Sequence, residues 1–423
     1  MSGVRRSARV VAVLAAALLP LTGCATTAAQ PAAPPGAQAA NDEAVLSPLA
    51  VVPLGEVNPV LGADNRLHLA YELLLANQSS STVQLSSVAT LDGDTAISTL
   101  DGARLDRVLR PSGGETGTAF GPGASGYLFL DATLPPGTSL PHTIRHRFAM
   151  TLRAGPSPQD PGAAGADQQP APARSLTFTG VPVQVSDQQA IEVAPPLNGK
   201  GWVVGNGCCD AITAHRGATL SINGTVRVAQ RFAIDFVQLD PSGRLYGGDP
   251  AQNASFAFFG VEVHSAADGT VVGAQDGRPE QVPGALPTGQ TVETADGNYV
   301  VVDLGQGRFA LYAHLQPGSL RVKVGDRVRT GDVLGLLGNT GNTDGPHLHF
   351  HVMDGPSPLT SDGLPFVFTS FTGQGVVTDE AKLVSPFPPT APVVPVDATR
   401  LAGPHAHQLP LNLQVLDLGT GSP

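Results

Sequence analysis

Leu67, Leu69, Tyr71, Leu73 and Leu75 alternate with other residues through LHLAYELLL, and a period of two marks a strand with one face on a core. Short runs of the same kind recur in YLFLDAT (127–133), HTIRHRFAMTL (142–152) and SLTFTGVPVQVS (175–186), separated by Gly, Pro and Ser turn residues. With 50 Gly and 38 Pro in 423 residues, the chain is expected to be mainly β rather than a helical bundle. Its length allows two or three domains.

The strand spacing predicts an N-terminal immunoglobulin-like β-sandwich over residues 45–192, with a surface loop at 154–173. His142 and His146 share one of its strands with no acid or thiol beside them in sequence, and they read as exposed. Ahead of this domain, Arg5, Arg6 and Arg9 precede an apolar run over 10–21, which is too short for a permanent membrane span. The run ends in Leu21-Thr22-Gly23-Cys24, which resembles a bacterial lipobox. Residues 1–23 are therefore expected to be a lipoprotein signal peptide, with a lipid on Cys24 holding the protein to the outside of the cytoplasmic membrane. The Ala/Pro-rich stretch 24–44 is expected to be a tether.

The net charge of −11 becomes more negative once the three leader arginines are removed, so no nucleic-acid partner is expected. Lipidation of Cys24 leaves Cys208 and Cys209, adjacent in sequence. They are either a vicinal disulfide or two unpaired small residues.

The chemistry concentrates in a second β-rich domain, 198–378, and a Pro-rich extended tail is expected over 379–423. In GPHLHFHV, a strand places His347, His349 and His351 on one face and Leu348, Phe350 and Val352 on the other. Imidazoles two residues apart can meet one ion, or put a ligand beside a base. A second His-x-His, in GPHAH (403–407), lacks the flanking alternation and reads as a solvent-exposed segment leading into a final strand, PLNLQVLDL.

Residues 310–353 contain Tyr312-Ala313-His314-Leu315, a Val-x-x-Gly-Asp-x-Val turn and Gly345-Pro346-His347-Leu348-His349-Phe350, in that order. Together with FGVEVHSAADGTVV (259–272) and GNYVVVDLG upstream, they resemble the lysostaphin/LytM-type zinc endopeptidases that cut peptidoglycan cross-links. The resemblance implies an antiparallel LytM-type (duplicated hybrid motif-like) peptidase domain, a Zn2+ cofactor and peptidoglycan peptides as substrate. It also implies Asp235 and His349 as metal ligands, with His314 and His347 flanking the attacking water. No HExxH helix is present, so a thermolysin-like site is excluded.

The family's first ligand is a His four residues before the Asp, and here that position holds Arg231. A guanidinium stays protonated and is a poor zinc ligand. Asn223-Gly224 marks a hairpin just upstream. A three-residue loop, 222–224, would place His215 opposite Arg231, whereas a two-residue loop would set Arg216 against Arg231, and like charges directly opposite are unfavourable. His215 is therefore expected to supply the third ligand, with His351 or a thiolate of Cys208 or Cys209 as alternatives. Two functions follow: a zinc peptidase of the cell envelope, or a non-catalytic relative that binds cell wall or regulates another wall hydrolase, which would be an envelope protein partner.

Overall fold

The computed structural model describes residues 45–112, 117–154, 172–209 and 212–420. The expected signal peptide, Cys24 and the tether lie outside the described residues, as does most of the 154–173 loop.

Two five-stranded antiparallel sheets come first. In the strand Leu67–Asn77, the alternating Leu69, Tyr71, Leu73 and Leu75 are buried, and they share one core with Leu128 and Leu130 of the same sheet and with Leu85 and Phe148 of the other. Each such side chain, fully buried, favours folding by about 1.5–3 kcal/mol. The two sheets thus face each other across one core; the likeness to immunoglobulin domains rests on strand spacing alone.

The opposite face of the same strand differs from expectation. His68, Ala70 and Glu72 are buried as well. Val60, Ala63 and Ala70 pack into the core of the second half of the chain, and Leu46–Pro423 is one compact unit. An antiparallel strand covered on both faces loses the polar side that its sequence advertises.

His146 is a correction. It is fully buried, with Nε2 at 2.7 Å from the Tyr71 hydroxyl, and burial pushes its imidazole down to about 4. His142 is exposed, as expected.

A 13-stranded sheet forms the second half. Within it Lys200–Gly205, Ile234–Gln238, Leu348–Met353 and Arg308–Ala313 lie side by side. The Leu348–Met353 strand is buried throughout. Leu348, Phe350 and Val352 enter the main core, which leaves His349 and His351 on the other face.

Residues 379–420, the described part of the expected 379–423 tail, do not form an extended tail. Gly403–Gln408 pairs with the Phe366–Val377 strand, and Gln414–Asp417 inserts between Phe366–Val377 and Lys200–Gly205. The decoy histidines take local partners: His405 stacks on Phe371 with ring centroids 4.8 Å apart, and His407 lies 2.7 Å from Glu192.

Candidate metal centre

Strand register assembles the site. Gly205, Asp235, His349 and Ala313 form one row across four neighbouring strands. Gly205 is required there, because a Cβ would stand 2.9 Å from the Asp235 carbonyl oxygen. His314 follows Ala313 with a φ of +66°, a left-handed backbone that non-glycine residues seldom adopt and that often marks functional sites.

Asp235 is the hub. Its Oδ1 is 3.0 Å from His349 Nδ1 and 3.4 Å from His347 Nε2, while Oδ2 is 3.1 Å from His215 Nε2 and accepts from Asn206 Nδ2 at 2.8 Å. The ring centroids of His314 and His347 are 4.5 Å apart. His347 precedes its strand rather than lying on it, yet its imidazole reaches the same carboxylate. His351 does not: its Nδ1 is 2.8 Å from His349 Nε2, so it stands behind His349.

The far nitrogens are anchored. His215 Nδ1 donates to the Ala233 carbonyl at 3.0 Å, His314 Nδ1 to that of Thr340 at 2.7 Å, and His347 Nδ1 to that of Gly345 at 2.9 Å. Such bonds fix the tautomer and aim each Nε2 lone pair at the site, an arrangement typical of metal-ligating histidines.

Burial opposes ionisation of Asp235, but the charges of His215 and His347 and bonds from His215 and His349 hold its carboxyl well below the usual range. Burial pushes His349 down to about 4 and keeps His314 well below the ordinary imidazole range. For His215 burial pulls downward most strongly of any single cause, yet the Asp235 charge, the bond to its carboxylate and bonds to the Ala233 and Asn206 backbone together raise the imidazole. The pocket thus attracts positive charge between His215 and Asp235. His215, Asp235 and His349 bring one ligand atom each within 4.8 Å of the others, and two imidazoles with a carboxylate suit Zn2+.

His215 reaches the site by a route other than the expected register. Ile222 pairs with Thr225, so Asn223-Gly224 is a two-residue loop, with φ of +52° and +79°. This is the turn that favours Asn-Gly in hairpins. The hairpin ends at Leu220 and Arg227, and neither His215 nor Arg231 lies on it. His215 sits in a turn of the loop between Gly205 and Leu220, and Arg231 in a turn before Ile234.

The like-charge objection to Arg216 beside Arg231 is met by an acid from the sandwich. Glu72 Oε1 accepts from Arg216 Nη2 at 3.3 Å and Oε2 from Arg231 Nε at 2.7 Å. Sequence reasoning missed Glu72 and Asn206. The available signal for Glu72 was His68 and Glu72 sharing one face of the Leu67–Asn77 strand.

Cys208 and Cys209 are joined as a disulfide, so neither offers a thiolate ligand. A second cluster, His68, Asp131 and Cys209, is also close-packed. It is a poor metal site, since the Cys209 sulfur is bonded and both His68 nitrogens face carboxylates, Asp131 at 2.9 Å and Asp64 at 3.1 Å.

Burial disfavours the His68 charge, but the bonds and charges of Asp131 and Asp64 push it up to about 9 from 6.5. A raised folded value stabilises the fold fully below about pH 6.5 and is lost as pH rises through about 9. Melting temperature followed against pH should show this loss, on the order of 3 kcal/mol, in the wild type but not in His68→Gln. Parallel curves for the two proteins would refute it.

A groove of about 270 Å³ runs beside His347 and Asp235, walled by Asn206, Leu245, Phe256, Leu383 and Phe387. Two of these walls come from the segment expected to be tail.

Residues 254–360 match the model of peptidase family M23. Over 113 residues the chain is 33% identical to the peptidoglycan DD-endopeptidase ShyA of Vibrio cholerae, covering 26% of this chain and 22% of that protein. It is 32% identical over 104 residues to an uncharacterized metalloprotease of Buchnera aphidicola, covering 24% and 23% respectively. The chain therefore spans less than a quarter of the length of these curated relatives. Among solved structures, the catalytic domain of lysostaphin from Staphylococcus simulans is 23% identical, covers 39% of this chain and 86% of that one, and has a TM-score of 0.22. The family match includes His314, His347 and His349 and leaves His215 and Asp235 upstream. The chain carries a domain of peptidase family M23, over residues 254–360.

Proposed function

We propose that this chain is a zinc-dependent endopeptidase that hydrolyses peptide bonds of peptidoglycan outside the cytoplasmic membrane, anchored through a lipid on Cys24. One observation carries the reading most. Although Arg231 occupies the family's ligand position, His215 reaches Asp235 from another loop at 3.1 Å and restores a two-imidazole, one-carboxylate donor set.

His215, Asp235 and His349 would hold the metal. When bound, zinc supplies Lewis acidity, polarising a carbonyl and acidifying water. His314, kept neutral by burial and donating through Nδ1, offers Nε2 as a proton acceptor. His347, at the groove's edge with its own Nδ1 anchored, holds Nε2 where a scissile amide would lie. One imidazole takes a proton from the attacking water, and the pair then supports the developing oxyanion and returns the proton to the leaving amine. Asn206 holds Asp235 in place from behind.

Arg231 is the feature that favours a non-catalytic wall-binding role. It is tied into a salt bridge with Glu72 on the sandwich side, and the other polar groups of the site remain together. The two readings part on metal and product. Purified protein should contain about one zinc per chain, removable by chelator, and should release new amines from isolated peptidoglycan only when metal-loaded. Metal-loaded protein that binds the wall without releasing amines would establish the non-catalytic role instead.

A further inference from the structure

We propose that Glu72, an acid of the N-terminal sandwich, is a positioning residue of the metal centre, so that the first domain is a working part of the peptidase rather than a spacer. The inference rests on the donor set proposed above.

Two separate segments deliver two of the three candidate ligands. His215 lies on the loop between Gly205 and Leu220, and Asp235 follows the turn containing Arg231. The His215 loop has mostly short-range bonds of its own: Gly217 N to Thr213 O, Ala218 N to His215 O, and Thr213 Oγ1 to Asn206 O. It is tied to the second half of the chain by Gly207 N to Asn412 Oδ1, Asn412 N to Cys208 O and His215 Nδ1 to the Ala233 carbonyl, and to the sandwich by Arg216, the residue after the ligand. Arg216 is 1% exposed and donates to Glu72 Oε1, to the Leu130 carbonyl and to the Cys209 carbonyl, with its guanidinium 5.9 Å from the Phe129 ring centre. Glu72, Phe129 and Leu130 all belong to the sandwich.

Arg231 makes the matching grip on the other segment. It donates to Glu72 Oε2, to the Gly363 carbonyl and to the Leu54 carbonyl. Two residues on, Ala233 offers the carbonyl that orients His215, and Asp235 follows. One fully buried carboxylate therefore clamps both ligand-bearing segments, one oxygen to each. It also neutralises a guanidinium that stands where the family has a ligand. Asp64, Glu72 and Asp131 balance His68, Arg216 and Arg231 along this seam. Without Glu72, two buried guanidiniums would face each other uncompensated, and the segments would move apart.

The test uses the full-length protein. Glu72→Gln keeps the shape and removes the charge, and Arg216→Met cuts only the arm beside His215 while leaving Glu72 and Arg231 as a neutral pair. Zinc affinity is read by competition with a chromophoric chelator, and the ligand set by the visible spectrum of the cobalt(II)-substituted protein. Both variants are expected to bind zinc about 10- to 100-fold more weakly, the usual effect of losing a supporting partner, and to change the cobalt spectrum while circular dichroism shows them folded. A purely structural role would lower the melting temperature alone. If the folded variants keep wild-type zinc affinity and cobalt spectrum, the positioning role is overturned. Should Glu72→Gln fail to fold, Arg216→Met decides the matter. A wild-type protein that binds no zinc would instead overturn the metal-centre reading on which this inference depends.

Discussion

His215→Ala is expected to leave a folded protein that has lost its metal. Zinc sites with four protein ligands draw about 10–16 kcal/mol from binding, so removing one ligand should weaken affinity by roughly two to three orders of magnitude. The fold should survive, because the lost hydrogen bond from Nδ1 to the Ala233 carbonyl is worth only about 1–3 kcal/mol when a buried acceptor is stranded. The comparison protein is His351→Ala. His351 is also buried, but it touches His349 Nε2 rather than Asp235, so its loss should weaken zinc far less. Bound zinc measured after dialysis separates the two. Undiminished zinc in folded His215→Ala would sink the assignment, and loss confined to His351→Ala would transfer the role to that residue.

The ease with which parts of this molecule were read follows the range of the interactions that fix them. Local alternation exposed Leu67–Asn77 and Leu348–Met353, since a side-chain period of two is written in consecutive residues. Asp235 and His349 were legible as partners only through the family resemblance; what brings them together is strand pairing across 114 positions. His215 was named for a register that does not occur. Asn223-Gly224 closes a two-residue loop, and the chain leaves the hairpin before either His215 or Arg231 is reached.

The error lay in treating a like-charge pair as forbidden. Arg216 and Arg231 are both within reach of one buried carboxylate, and that carboxylate comes from a strand about 150 residues upstream whose polar positions looked like a solvent face. The C-terminal segment failed for the same reason. Its Pro-rich composition is compatible with an extended tail, and although PLNLQVLDL alternates like a strand, nothing local says that Gln414–Asp417 completes a sheet begun by Lys200–Gly205.

The other large effect belongs to His347. Its Nδ1 is held by the Gly345 carbonyl, its Nε2 stands 3.4 Å from Asp235, and its ring lies on the groove. It is outside the donor set that would hold zinc. His347→Ala should therefore keep its zinc and lose turnover, with kcat on peptidoglycan peptides falling by about 10²- to 10⁴-fold, the range for losing a general acid–base or oxyanion partner. KM should change little, because the imidazole acts on the transition state. His314 needs a different substitution, since its left-handed backbone would strain most replacements. Asn tolerates that conformation, so His314→Asn removes the imidazole with the least disturbance and should lower kcat over the same range. Amine release timed beside zinc content gives the answer for both. Full turnover in zinc-loaded His347→Ala would remove it from the chemistry, whereas parallel loss of zinc and turnover would make it a ligand instead.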